Sequence, residues 1–153
     1  MMKGAYRFLF FLHAFVGLGA ISGGLAAILN PQEPLGVSTD LLSNSPFNNY
    51  LIPGIILFTI IGLGNIISAV TIYFKSRFQG YISSIFSWAL VIWITVQCMM
   101  INTIHFLHIL YFFIGVIEVV LSTNILFEQN LYPANLILNF YRKTRGEINN
   151  KNQ

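Results

Sequence analysis

Four long runs of apolar residues dominate this chain, at residues 8–29, 51–74, 81–101 and 104–126. Each run is long enough to cross a bilayer as a helix, which takes about 20 apolar residues. A membrane-spanning strand would be about half as long and would alternate in polarity, and these runs do neither. Because backbone groups in lipid need partners within the structure, we predict an all-α bundle of four transmembrane helices.

The composition agrees with a membrane protein. Only 8% of the 153 residues are charged, 56% are hydrophobic and the mean hydropathy is +0.71. A chain with so few charges cannot cover a soluble surface, whereas its apolar residues can face lipid. We therefore expect residues 1–153 to form a single membrane domain.

The first run could alternatively be a cleaved signal peptide. Lys3 and Arg7 precede it, and residues 23–27 supply the small side chains of a cleavage site. However, the run exceeds the roughly 7–15 apolar residues of a signal peptide. We expect it to be retained as the first helix.

The positions of the basic residues predict the orientation. All eight Lys and Arg residues lie before the first run, between the second and third runs, or after the fourth. The positive-inside rule then places both termini and the connection containing Lys75 in the cytoplasm, with residues 30–50 and the turn near Asn102 outside. The same residues give the basic pI of about 9.2. They indicate anionic headgroups as partners and do not require nucleic acid.

The outer loop, residues 30–50, contains three prolines and several apolar side chains. We expect it to fold back on the mouth of the bundle as a lid, with Ser38 or Thr39 capping a helical turn that ends at Leu42. The alternative is that this loop is only an ordered connector.

The basic segment after the fourth run, residues 134–145, predicts a short amphipathic helix on the cytoplasmic leaflet. An unstructured tail is the alternative.

Glu118 is the only charged residue within the four runs. A carboxylate in hydrocarbon costs at least about 2.5 kcal/mol, so it normally faces a partner or a wet cavity. At a rise of about 1.5 Å per residue, Glu118 lies roughly two thirds of the way to the cytoplasm, and His13, Asn65 and Ser87 fall at a similar depth. We predict an inner polar layer of these four residues, with His13 and Glu118 paired.

Helical spacing supports this layer. On the fourth run, one face carries His108, Tyr111, Gly115, Glu118 and Ser122, and on the first run, one face carries His13, Gly17, Ala20 and Gly24. The small residues would allow close contact between helices.

Two roles for the predicted pair remain open. It could be a hydrogen-bonded contact that fixes helix register, worth on the order of 0.6 kcal/mol per contact. It could instead accept a proton or orient a ligand, because imidazole titrates near neutrality.

A second polar cluster is predicted near the outside, from Gln97, His105 and His108. It could bind a polar headgroup, or the histidines could simply satisfy backbone groups and water at the interface. Two histidines leave a zinc site incomplete, and at roughly 15–20 Å from His13 along the membrane normal they cannot share a haem with it. The single cysteine, Cys98, excludes an intramolecular disulfide and is expected to pack as a small apolar residue.

An ordered set of short motifs gives the chain a resemblance. They are Gly23-Gly24, Pro31 with Leu35-Gly36, Leu42 with Ser45-Pro46-Phe47, Tyr50-Leu51-Ile52-Pro53-Gly54, Gly62-Leu63-Gly64-Asn65, and Trp93-Ile94 with Val96-Gln97. Over residues 10–120 the chain resembles a family of small bacterial four-helix membrane proteins. The resemblance implies a bacterial plasma membrane and brings no activity with it. The architecture alone also looks like the DoxX-type proteins, which are associated with redox complexes and quinone-linked chemistry.

Three functions follow as hypotheses. We favour a non-enzymatic accessory or partner subunit, because the sequence shows no nucleotide loop, nucleophile constellation or metal set. The second is a small lipophile or quinone binding protein of a redox complex. The third is a proton-coupled small transporter with Glu118 as the proton carrier, which would need a dimer. The expected partners are the bilayer and either another membrane protein or a second copy of the chain; the sequence leaves open whether there is a cofactor.

Overall fold

The computed structural model describes residues 2–43, 45–101 and 105–128. Four helices in it are long and apolar enough to cross a membrane. They are α1 (Met2–Leu29), α2 (Leu51–Tyr73), α3 (Gln79–Ile101) and α4 (Phe106–Glu128). The described ranges contain no strand, so the predicted all-α, four-span fold is confirmed. The predictions for the turn near Asn102 and for residues 134–145 lie outside the described residues.

The helix ends differ from the apolar runs by a few residues. The largest difference is at α1, which begins at Met2, six residues before the first run. Hydropathy marks where hydrocarbon begins, and a helix can continue past that point as long as its backbone bonds continue. Tyr6 and Arg7 consequently stand on a helix at the membrane edge. We call the end of the bundle where α1 begins and α4 ends its terminal end, and the opposite end its loop end.

Glycines bring α1 and α2 into close contact. A Cβ added at Gly24 would lie 2.7 Å from the backbone nitrogen of Phe58, and one at Gly62 would lie 3.1 Å from the backbone nitrogen of Ile21. Gly17 and Gly54 are similarly crowded by the partner helix. Any side chain at these positions would separate the two backbones, and small residues at such contacts are what packing in lipid requires.

Helix α2 is not uniform. Its middle, Leu57–Leu63, is π-helical, between α-helical segments at Leu51–Ile56 and Gly64–Tyr73. The wider π-helical turn is uncommon, and it often occurs next to functional sites. Here it packs against α1 and ends two residues before Asn65. The apolar run gave no indication of it, because hydropathy is the same for both kinds of helix.

Lys75 ends α2 in the left-handed conformation, with φ of +51°. The amide of Ser76 donates to the carbonyl of Thr71 at 2.9 Å, and that of Lys75 donates to Ile72 at 3.1 Å. This is the Schellman pattern that commonly ends helices, in which the left-handed residue is usually glycine. The turn holds Lys75 at the terminal end, four residues before α3 begins at Gln79.

Apolar cores occupy three levels of the bundle. The central one contains Val16, Ala20, Ile61, Leu90, Trp93 and Ile94. The core at the loop end contains Ala27, Leu42, Tyr50 and Met100, and the core at the terminal end contains Leu9, Ile72 and Ile125. Polar side chains fill the level between the central core and the terminal one.

The loop between α1 and α2 folds back on the bundle, as expected. The Ser38 hydroxyl accepts from the amide of Asp40 at 3.2 Å and caps the short turn Thr39–Leu42, and Leu42 is buried in the core at the loop end. The Tyr50 hydroxyl donates to the Ser38 carbonyl at 3.0 Å, and this hydrogen bond fixes the position of the turn. Leu35, in contrast, is 84% exposed, although the neighbouring Pro34 is buried.

Candidate functional site

A layer of polar side chains is completely buried near the terminal end. Each has no exposed surface, and together they come from all four helices. The layer consists of His13, Asn65, Ser68, Ser83, Ser87, Glu118 and Ser122. A buried polar layer of this size in a membrane helix bundle must satisfy its hydrogen bonds internally, because lipid supplies none.

His13 is the centre of this layer. Its Nδ1 lies 2.6 Å from Asn65 Oδ1, and its Nε2 contacts Ser83 Oγ. The Asn65 amide nitrogen donates to the carbonyl of Ile61 at 2.8 Å, which turns Oδ1 toward the imidazole. Since Oδ1 can only accept, Nδ1 carries a proton and donates it. The Ser83 hydroxyl can donate to a neutral imidazole at Nε2 or accept from a protonated one.

Glu118 lies beside His13 without a hydrogen bond to it. Its Oε1 is 3.3 Å from His13 Nδ1, which is close enough for an ion pair. However, the N–H at Nδ1 points to Asn65, and neither carboxyl oxygen of Glu118 has a hydrogen-bond partner among the described residues. Buried carboxyl groups are normally hydrogen-bonded, so this one is an exception that needs an explanation.

The structure brings together His13, Asn65 and Glu118, three of the four residues of the predicted inner layer. The fourth, Ser87, is buried at the same level, but its hydroxyl donates to the carbonyl of Ser83 at 2.7 Å. Ser83 is the residue that contacts His13. Ser87 therefore lies in the layer, while the contact with His13 is made by Ser83, one helical turn earlier on α3. Both serines lie on the same face at a spacing of four, a pattern that could have identified Ser83.

The same face of α3 reaches the terminal end at Gln79. This residue is 6% exposed, and its Oε1 has no hydrogen-bond partner in the described part of the chain. Gln79 lines an open pocket of about 730 Å³ between α1 and α2. Gln79, Ser83 and Ser87 thus form a polar stripe from this pocket to the imidazole of His13.

The outer cluster is only partly assembled. His105 precedes α4, and its amide donates to Nδ1 of His108 at 3.2 Å. A side chain in the first turn that accepts from the amide preceding the helix is the arrangement of a capping box, so the histidine pair has a local structural role. Gln97 makes no hydrogen bond to either histidine among the residues that the structure describes. Within the same residues, no group of three or more potential ligands could hold a metal ion.

Comparison with protein-family models, curated proteins and solved structures finds no match to this chain. The geometry of the buried layer is therefore the basis for the proposed function.

Proposed function

We propose that this protein is a non-enzymatic membrane subunit and that Glu118 and His13 form its proton-binding site. The observation that supports this is the buried carboxyl of Glu118, which has no hydrogen-bond donor among the described residues and lies 3.3 Å from an imidazole nitrogen. A contact that served only to fix the helices would pair the carboxyl. This one leaves it free to take up a proton.

Two protonation states fit the geometry. In the first, Glu118 is a neutral acid and His13 is neutral, donating from Nδ1 to Asn65 and accepting at Nε2 from Ser83. In the second, the proton is on Nε2 of His13, the Ser83 hydroxyl turns to accept it, and the imidazolium faces the Glu118 carboxylate. The two states contain the same number of protons and have the same net charge. A buried carboxylate without such a partner would destabilise the folded protein by several kcal/mol, as any unpaired buried ion does.

A route for the proton is supported by the stripe on α3. Gln79 lines the pocket at the terminal end, and Ser83, four residues further, contacts His13. Hydroxyl and amide groups can donate and accept, so they suit a relay. Among the described residues, the central apolar core separates the layer from the loop end. We propose that protons enter and leave through the terminal end.

We also propose a bacterial plasma membrane as the location and a cytoplasmic terminal end. The support is the family resemblance and the placement of Lys and Arg at this end. The other membrane functions considered above use the same residues differently. A proton-coupled transporter would need access from both sides, and quinone binding at the pair would need space beside two residues that are fully buried.

Infrared difference spectroscopy tests the proton site. In membranes titrated from acid to alkaline pH, the wild type should show a carboxyl band that disappears as the proton is lost and shifts in D₂O. Glu118→Gln should abolish the band. Glu128→Gln removes an exposed carboxyl at the end of the same helix and is the matched control, expected to keep the band. A wild-type spectrum without a titrating carboxyl band would refute the proposal, and so would a band that survives in Glu118→Gln.

A further inference from the structure

The pocket at the terminal end combines two exposed cations, Arg7 and Lys75, with an aromatic wall. We propose that it binds one anionic phospholipid, whose phosphate is held by Arg7 and Lys75 and whose acyl chain lies on the wall. The pocket and Gln79 also belong to the proton route proposed above, but lipid binding at Arg7 and Lys75 does not require Glu118 to take up a proton.

The wall of the pocket suits an acyl chain. It is formed mainly by Phe10, Phe11, Ile72 and Tyr73, with the rings of Phe10 and Tyr73 at a centroid distance of 6.2 Å. Phe11 and Tyr73 are 63% and 70% exposed, so they present apolar surface to whatever fills the pocket. A volume of about 730 Å³ is within the range of small-molecule sites, roughly 300–1,000 Å³.

The charges of the pocket suit a phosphate. Arg7 and Lys75 are exposed and line it, and among the described residues neither side chain forms an ion pair. The carboxylate of Glu128 lies near this end and accepts from the hydroxyl of Tyr6 at 3.1 Å. Arg7 is on α1 and Lys75 follows α2, so the two cations approach the pocket from different helices. Together they could hold one phosphate.

Gln79 supplies a second, independent sign of a ligand. It is 94% buried and lines the pocket, and its amide oxygen, which is itself buried, has no hydrogen-bond donor in the described chain. A buried acceptor of this kind normally has a partner. The hydroxyl of a glycerol headgroup would provide one, which favours phosphatidylglycerol among the anionic phospholipids.

The other candidate occupant is the chain's own basic segment after residue 128. It contains Arg142, Lys143 and Arg145, which would bring three more positive charges to a site that already has two. Like charges at close range repel, whereas an anionic lipid neutralises the pair. Basic groups at the membrane edge favour anionic lipid over zwitterionic lipid.

Native mass spectrometry of the full chain tests the site. The protein would be released from bicelles containing equal amounts of phosphatidylglycerol and phosphatidylcholine with the same acyl chains. We expect one phosphatidylglycerol to be retained. Arg7→Gln and Lys75→Gln should each lower its affinity about fivefold, which is the expected effect of one basic residue at a membrane surface.

Arg77→Gln is the matched control, since Arg77 is an exposed cation in the same connection that does not line the pocket. It should leave retention unchanged. Equal losses in all three variants, or none in Arg7→Gln and Lys75→Gln, would overturn the proposal and indicate bulk lipid.

Photo-crosslinking identifies the occupant directly. A benzoylphenylalanine at Phe11 should crosslink mainly to phosphatidylglycerol. At Phe113, which is 61% exposed on α4 and outside the pocket, it should crosslink to both lipids in proportion to their abundance. Crosslinks from Phe11 to residues after 128 would assign the pocket to the chain itself and overturn the proposal, as would lipid crosslinks without headgroup preference.

Discussion

His13 Nδ1 lies between two acceptors and bonds only one of them: Asn65 Oδ1 at 2.6 Å is bonded, and Glu118 Oε1 at 3.3 Å is not. Glu118 is therefore a second acceptor at the same nitrogen. It can take over the N–H when Asn65 is lost or when His13 becomes charged. This arrangement makes the two acceptors energetically dependent on each other.

Asn65 and Glu118 should show this dependence in a double-mutant cycle. We expect Asn65→Leu to cost little in the wild type, because Glu118 can accept from His13 in its place. In a Glu118→Leu background the same change should cost a further 1–3 kcal/mol, roughly, because the buried N–H then has no acceptor. The free energy of unfolding in bicelles measures the coupling. Purely additive effects would mean that Glu118 does not serve as the second acceptor.

Gly24→Ala should destabilise the bundle by roughly 1–3 kcal/mol, the usual cost of overpacking. The added methyl would lie 2.7 Å from the backbone nitrogen of Phe58 and 2.8 Å from its Cα, and backbone atoms cannot rotate away. Gly23→Ala is the control, because its methyl meets only Leu57 Cδ2 at an ordinary 3.6 Å. Thermal unfolding of both variants measures the difference. Similar stabilities would contradict the close contact of α1 with α2.

Lys75→Gly should stabilise the protein by about 1 kcal/mol, because a residue with a Cβ is strained in the left-handed conformation and glycine is not. Lys75→Ala keeps the Cβ and should give no such gain. Both changes remove the charge, so both should weaken retention of phosphatidylglycerol. Chemical unfolding and native mass spectrometry together separate the two effects, and a gain in Lys75→Ala equal to that of glycine would argue against backbone strain.

The loop contact of Tyr50 should be lost at high pH. Burial raises the pKa of the Tyr50 hydroxyl above its usual value of 10.0. A group whose pKa is raised by folding contributes stability below its unfolded pKa and loses it as the pH rises through the folded value. The stability that Tyr50 contributes is therefore lost above about pH 10. Tyrosine absorbance should report this late titration, and its amplitude should fall by one tyrosine in Tyr50→Phe.

Cysteine labelling should distinguish the two halves of the outer loop. In a Cys98→Ala background, Leu42→Cys should react slowly, since Leu42 is 3% exposed, and Leu35→Cys should react rapidly, since Leu35 is 84% exposed. Maleimide kinetics in membranes provide the measurement. Fast labelling at both positions would show that the turn does not rest on the bundle.

The four spans and the burial of Glu118 could be predicted from the sequence, because hydropathy and the cost of a charge in lipid act on each residue alone. The depth estimate was accurate to about one turn, which was enough for His13 and Asn65. It was not enough to choose between Ser83 and Ser87 on α3. That choice depends on how far α3 is shifted along α1, and the shift is set by packing between helices.

Two other features also lay beyond the sequence pattern. His105 and His108 look like ligands by spacing, but one accepts from the amide of the other at the start of α4. Capping of this kind depends on where the helix begins, and the apolar run leaves that point uncertain by a few residues. The pocket includes Arg7 because α1 extends beyond the apolar run, and hydropathy alone does not predict that extension.

The π-helical segment Leu57–Leu63 changes the direction in which the later residues of α2 face. One additional residue in a turn rotates everything after it by about 100° relative to a continuous α-helix. The close contact of Gly54 with α1 lies before this rotation, and the hydrogen bond of Asn65 to His13 lies after it. Removing one residue from the segment would restore a regular helix and turn Asn65 away from His13. Helix α2 thus behaves as two half-helices whose relative angle is set by the π-helical turn.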